Sequence, residues 1–375
     1  MSSGIPTIPT TVWIEHVLPF LDRLSWNRLC ATNKDLHQKS AGLKCPPWPQ
    51  HKNLSVESRV SNLAFSSHGE FLALGDADRG KVQLLSVVDG KLTPIYDEPQ
   101  LLGITGLTIS PNNKWLASGR WNDNTITLLN IRDGTQRVLE GHTRAVLGLL
   151  FSPVDASILA SGSFDGCLRV WKDENPIRTF HHEGMRLIYS MDFSPDGTLL
   201  AAVGDSGDIC FWRLADSENA TMDDDIHHSE TQPQHTIKHN HTSRCTGVKF
   251  SSDGSLLATG SWDPAVKIWD LETNNCKGTL QPSDEVNSIL FSPNGKVVAA
   301  ACCDQSLHFW TMESFAPIVV LRNYHATTWC RVTVSATGTL ASSGPHSDSI
   351  RLWNPAIDHA DQDDDELKEL RFLWG

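Results

Sequence analysis

No two of the nine cysteines stand in a Cys-x-x-Cys spacing. That removes the commonest zinc and dithiol frameworks. Most of them (Cys30, Cys45, Cys167, Cys210, Cys245, Cys276, Cys302, Cys303 and Cys330) lie in apolar strand patterns, as small hydrophobes of a reducing compartment do. Also missing are a basic leader ahead of an apolar segment and any apolar run long enough to cross a bilayer. Neither a signal peptide nor a membrane segment is expected, and the expected location is cytoplasmic, nuclear or both. Positive charge is short: 31 Lys+Arg against 44 Asp+Glu leaves a net −13, which disfavours nucleic acid as a partner. Two runs carry nearly all the excess. Asp216–Glu230 holds six acids and no Lys or Arg, and Asp358–Glu369 holds seven acids and Lys368.

What the chain does have is repetition. An apolar strand ends on a Phe-Ser-like pair, a Leu-Ala-Ser-Gly-like strand follows, and an acidic turn leads to a strand closing on Trp. The first marker falls at Phe65, Ile109, Phe151, Phe193, Phe250, Phe291 and Val334, at intervals of 44, 42, 42, 57, 41 and 43 residues. The closing position keeps step at Leu85, Leu129, Trp171, Trp212, Trp269, Trp310 and Trp353. A period near 42 is the length of one four-stranded propeller blade, so the pattern predicts an all-β ring of seven blades. Asp165-Gly166 supplies the tight turn of the third unit, and Cys167–Trp171 alternates as a strand. The 57-residue interval places an acidic insertion at about 215–233, and a second falls at about 356–366. Both lie between third and fourth strands, so both are expected as solvated loops on one face. Lys368–Leu373 is the expected last strand, with the stretch near Leu54-Ser-Val56 as the alternative closure.

These units resemble WD40 repeats, although only Trp269-Asp270 is a literal Trp-Asp and only Gly141-His142 a literal Gly-His. The resemblance implies a buried His–Ser/Thr–Asp–Trp hydrogen-bonded set in each well-formed blade. The matching residues are His142, Ser161, Asp165 and Trp171, then His241, Thr259, Asp263 and Trp269, then His325, Ser342, Asp348 and Trp353. Blades one and two lack both His and Trp and are expected to be less rigid. A Ser–His–Asp set also invites a hydrolase reading. Three copies in phase with a fold repeat, and no Gly-x-Ser-x-Gly elbow, point to scaffolding and away from an enzyme. His227, His228, His235, His239 and His241 crowd one polar loop; no metal site or cofactor is expected there.

Ahead of the ring, Ile8–Leu21 has apolar residues spaced for one helical face after Thr10 or Thr11, and Ser25 caps a second short helix over Trp26–Asn33. Cys45-Pro-Pro-Trp-Pro49 then makes a stiff spacer. Residues 5–45 are similar to an F-box, with 46–57 as connector and 58–375 as propeller. That likeness implies docking on a Skp-type adaptor of a cullin ubiquitin ligase through Ile8, Pro9, Val12, Val17, Leu21, Leu24, Leu29 and Cys30. A helical cap packed on the propeller is the other reading.

By alignment to blade three, one mouth of the ring collects Arg59, Arg120, Trp121, Phe164, Tyr189, Arg244, Trp262, Glu285, Asn287 and Trp329. Arg and large aromatics anchor peptides at interfaces, and Arg59, Arg120 and Arg244 could grip a phosphate. Two functions follow: a substrate-recognition subunit of a ubiquitin ligase binding a target protein, phosphorylated or not, or a general scaffold subunit of another assembly.

Overall fold

The computed structural model of the chain describes residues 52–56, 59–88, 90–98, 103–214, 232–238, 241–322, 331–344, 349–353 and 365–374. They form seven four-stranded antiparallel sheets. Blade one is β2 (Val60–Phe65), β3 (Phe71–Asp76), β4 (Gly80–Ser86) and β5 (Leu92–Glu98). Blade two is β6 (Ile104–Ile109), β7 (Trp115–Arg120), β8 (Ile126–Asn130) and β9 (Gln136–Leu139). Blade three runs β10 (Val146–Phe151), β11 (Ile158–Ser163), β12 (Cys167–Lys172) and β13 (Asn175–His181). Blade four runs β14 (Ile188–Phe193), β15 (Leu199–Gly204), β16 (Ile209–Arg213) and β17 (His235–Ile237). In blade five the strands are β18 (Cys245–Phe250), β19 (Leu256–Ser261), β20 (Val266–Asp270) and β21 (Asn275–Leu280). In blade six they are β22 (Val286–Phe291), β23 (Val297–Cys302), β24 (Leu307–Thr311) and β25 (Pro317–Leu321). The inner strands pack side by side around a central channel, and β26 (Arg331–Val334) of blade seven returns against β2.

Composition explains each layer. Second strands are pressed between two blades and so carry small apolar residues: Ala201, Ala202, Ala258, Ala299 and Ala300 are completely buried. Apolar clusters lie between successive blades; Phe180, Met191 and Leu200, for example, join Trp212 across the seam of blades three and four. Most first-to-second turns use one device, the turn of blade three being the exception. In blade four the Ser194 hydroxyl donates to Asp196 Oδ1 at 2.5 Å, and Gly197 takes φ +70° to close the turn onto the Ser194 carbonyl.

The inner strands share an irregularity that positions the site. In six blades the register with the second strand shifts at one place, between Val60/Asn62, Ile104/Gly106, Val146/Gly148, Ile188/Ser190, Cys245/Gly247 and Val286/Ser288. The skipped residues are Ser61, Thr105, Leu147, Tyr189, Thr246 and Asn287, and each lines the channel or its mouth. A bulge re-aims one side chain without breaking the sheet. Some of these hydroxyls stitch neighbours together: Ser61 donates to the Ile104 carbonyl at 2.7 Å and Thr105 to that of Val146 at 2.5 Å.

Ring closure differs from the favoured expectation. Blade seven is β26, β27 (Leu340–Ser343), β28 (Ser349–Trp353) and, on the rim, β1 (Lys52–Ser55). Leu54 pairs with Ile350 and Lys52 with Leu352, antiparallel. The ring therefore begins at Lys52, inside the stretch expected as connector. Lys368–Leu373 is not a strand: it belongs to helix α1 (Asp365–Trp374), which also takes up the end of the expected acidic loop. The reason lies in spacing. Leu370 and Trp374, four apart, are buried together against Phe309, Ile318 and Trp353, whereas Phe372 points out to solvent. The F-box-like segment 5–45, with its eight candidate adaptor residues, lies outside the described residues, as do 215–231 and 356–364 of the two expected acidic loops.

Candidate functional site at the mouth of the ring

The hydrogen-bonded sets come first, because they hold the turns that carry the mouth. In blade three the Trp171 indole donates to Ser161 Oγ at 2.8 Å, and Ser161 Oγ lies 2.8 Å from His142 Nε2. His142 Nδ1 sits 2.9 Å from Asp165, whose carboxylate also takes the backbone N–H groups of Thr143 and Cys167. Burial would raise the Asp165 carboxyl, but the His142 ring and these N–H donors outweigh it and bring it down to about 2. Blade five repeats the geometry: Trp269 to Thr259 at 3.0 Å, Thr259 to His241 at 2.9 Å and His241 to Asp263 at 3.0 Å. Ser161 and Thr259 are completely buried, so no substrate can reach either hydroxyl. In blade seven Ser342 and Trp353 are buried, while His325 and Asp348 lie outside the described residues.

Two further polar knots stand where the sequence shows no such set. Blade six has a rearranged one, in which the Ser283 hydroxyl reaches His308 Nε2 at 2.8 Å and also Asp304. His308 stacks on Trp310 at 5.3 Å and 11°. At the seam of blades one and two, Arg120 is buried and its guanidinium bonds Asp123 (2.9 Å), Thr127 (2.9 Å) and the Tyr96 hydroxyl, over whose ring it lies at 5.1 Å. Arg120 is thus a seam residue, not the exposed phosphate grip expected of it.

The mouth residues themselves form a continuous ladder across four blades. Trp121, 52% exposed, meets Phe164 edge-on at 5.8 Å, and Phe164 meets Tyr189 edge-on at 5.7 Å. Arg244 Nη1 donates to the Tyr189 hydroxyl at 3.2 Å, and its guanidinium lies 4.2 Å from the Trp262 ring centroid. Each member comes from a second-to-third turn, an inner-strand entrance or, for Tyr189, the bulge. Arg59 is exposed at the other side, 3.7 Å from Asp78. Glu285 and Asn287 gather around Cys303, whose thiol approaches Asn287 Oδ1 at 3.4 Å and Glu285 Oε2 at 3.7 Å. Burial pushes that thiol up to about 11, so it is a weak nucleophile at neutral pH. Trp329 lies outside the described residues. The sequence reading missed Arg186 and Asp205, paired at 3.4 Å in blade four, and Arg331 on β26.

Among the described residues no group of three His, Cys, Asp or Glu side chains could hold a metal ion. Of the crowded loop, His235 opens β17 and packs near Phe211, and His241 belongs to the blade-five set. His227, His228 and His239 lie outside the described residues. No described helix is long and apolar enough to cross a membrane.

The WD domain, G-beta repeat family matches residues 97–129, 134–172, 174–213, 231–270 and 274–311, just over half of the chain. Similar proteins include Periodic tryptophan protein 2 of Arabidopsis thaliana, 29% identical over 67% of this chain and 27% of its own. Nuclear distribution protein PAC1 of Arthroderma benhamiae is 30% identical over 59% of this chain and 53% of its own. Target of rapamycin complex subunit wat1 of Schizosaccharomyces pombe is 26% identical over 55% and 62%. This chain therefore spans from about a quarter to under two thirds of the length of these relatives. Five matched repeats and seven four-stranded blades agree on one family, and the chain belongs to the WD40 (G-beta) repeat proteins.

Proposed function

We propose that this chain is a non-catalytic scaffold subunit of a multiprotein assembly, and that it binds a partner protein at the mouth of its ring. One observation carries this reading: the ladder Trp121–Phe164–Tyr189–Arg244–Trp262 joins four blades in side chains that no core needs. Aromatics and arginine, rigid and already oriented by one another, supply contact area at little cost in side-chain order. The buried hydroxyls of the polar sets argue for structure in place of turnover. The relatives' names, among them a complex subunit, favour a scaffold ahead of a ligase receptor. The Skp-adaptor reading of residues 5–45 rests on sequence resemblance alone and stands second.

The test is quantitative affinity purification of the full chain, a form lacking residues 1–45, and the Trp121→Ala/Trp262→Ala variant. The scaffold reading expects partners lost from the double alanine variant and kept by the truncated form. Partners retained by the double variant would remove the mouth as binding surface. Loss of a Skp adaptor on truncation would restore the ligase reading.

A further inference from the structure

Three residues before the first repeat marker, each inner strand has a position close against the inner strand of the next blade. Six blades place a small residue there: Asn62, Gly106, Gly148, Ser190, Gly247 and Ser288. Crowding explains the choice, since a Cβ on Gly106 would stand 2.8 Å from the Leu147 carbonyl oxygen and one on Gly247 2.8 Å from Ile289. In blade seven the same position holds Arg331, paired with Ser343 on β27. A long cation stands where the other six blades carry glycine, serine or asparagine.

Among the described residues, no carboxylate, hydroxyl or carbonyl engages the Arg331 guanidinium. The other basic groups of the hub and mouth are occupied: Lys249 pairs with Asp192 at 2.7 Å, Arg59 with Asp78, Arg186 with Asp205, and Arg244 lies between Tyr189 and Trp262. Arg331 lines both the central channel and a mouth cavity of about 460 Å³ that it shares with Trp121, Thr105, Asn62 and Asp78, whose carboxylate is paired with Arg59. Arg331 is half-buried, and the protein around it lowers its affinity for the proton. A half-buried charge without a counter-charge is open to a ligand of opposite sign, which it can hold by charged hydrogen bonds.

The geometry points to Arg331 as the receptor for an anionic side chain, carboxylate or phosphoryl, that a partner peptide inserts into the hub beside Trp121. This deepens the mouth reading and rests on it. The planar fork of the guanidinium suits two parallel hydrogen bonds to either group, and Trp121 covers the apolar part of the inserted residue. The anion site is therefore one that the sequence reading had placed on Arg59, Arg120 and Arg244.

The experiment uses the full chain and its Arg331→Gln, Arg331→Lys and Trp121→Ala/Trp262→Ala variants. Each is applied to immobilised short peptides with randomised flanks and a fixed central residue: Ala, Lys, Glu or phosphoserine. Wild type is expected to favour an anionic centre over Ala by about ten- to a hundredfold, the range of one charged hydrogen-bonding group. The Glu and phosphoserine arms decide which anion is preferred. Arg331→Gln should abolish the preference and Arg331→Lys should keep part of it. Asn62 and Ser190 show that a small polar residue fits this position, so Arg331→Gln should fold with an unchanged or higher melting temperature; if it does not fold, Arg331→Lys takes its place. No preference in wild type, or a preference that survives Arg331→Gln, overturns the assignment. Loss of all peptide capture in the double alanine variant, with the anion preference untouched by Arg331→Gln, spares the mouth and removes the anion site. Capture unchanged in every variant removes both. Stabilisation by inorganic phosphate that needs Arg331, with no preference among peptides, would make the ligand a free ion and overturn the peptide.

Discussion

Trp374 donates its indole N–H to the Gly338 carbonyl at 2.9 Å while its ring meets Phe309 edge-on at 5.7 Å. One residue of α1 thus bridges a turn of blade seven and a core strand of blade six. The Asn294 amide, donating to the Leu373 carbonyl at 2.8 Å, fixes the same helix from blade six.

Replacing Trp374 with Ala should therefore cost about 3–5 kcal/mol, the range for a fully buried Trp. Denaturant melts of the full chain measure it, and Phe372→Ala, at an 80% exposed position on the same helix, serves as the control with little expected effect.

Ser161→Ala removes the acceptor of Trp171 and the partner of His142 together. Each orphaned group costs about 1–3 kcal/mol, so the variant should be clearly less stable. No esterase turnover should disappear with it, because the wild type should have none; measurable wild-type hydrolysis lost on this change would reverse that view.

Acid should act in two stages. Burial outweighs the Asp263 carboxylate and lowers the pKa of His241, and it likewise outweighs Asp304 at His308. Their neutral forms stabilise the fold above the usual 6.5, and that contribution is lost as pH falls through the lower folded values. Asp165, held at about 2 against a usual 3.8, contributes above 3.8 and is lost as pH falls towards 2. Thermal melts against pH should show both declines, and Asp165→Asn should shrink only the lower one, to which Asp263 and Asp304 also contribute.

Arg120 and Trp262 separate seam from surface. Arg120→Ala should lower stability by about 2–3 kcal/mol, since Tyr96, Thr127 and Asp123 each lose a bond to its guanidinium, yet leave partner affinity per folded molecule unchanged. Trp262→Ala should do the reverse, weakening the partner by about 2 kcal/mol, roughly thirtyfold. Calorimetric binding and melting curves on both variants check the contrast.

Much of this was legible in the chain. Phe151 and Trp171 stand for two columns that keep one period, and a period of that length admits few folds. The ladder could be located from turn positions alone, because Trp121, Phe164 and Trp262 occupy equivalent turns. Closure was not, for local reasons. Lys52–Ser55 is too short to show alternation, and Lys368–Leu373 fits a two-residue and a 3.6-residue period about equally. The Arg120 knot was hidden because its partner Tyr96 belongs to another blade and follows no repeat column. Arg331 did leave a signal: it breaks a column of glycine, serine and asparagine that becomes visible once the repeats are stacked.

The inner-strand bulge has a bearing on how such wheels diversify. In six sectors it turns one side chain toward the axle or its mouth, and at Ser61 and Thr105 that side chain also ties its sector to the next. An exchange at a spoke whose side chain makes no such tie, such as Leu147, can then change what the axle admits and leave the joinery of the wheel as it was.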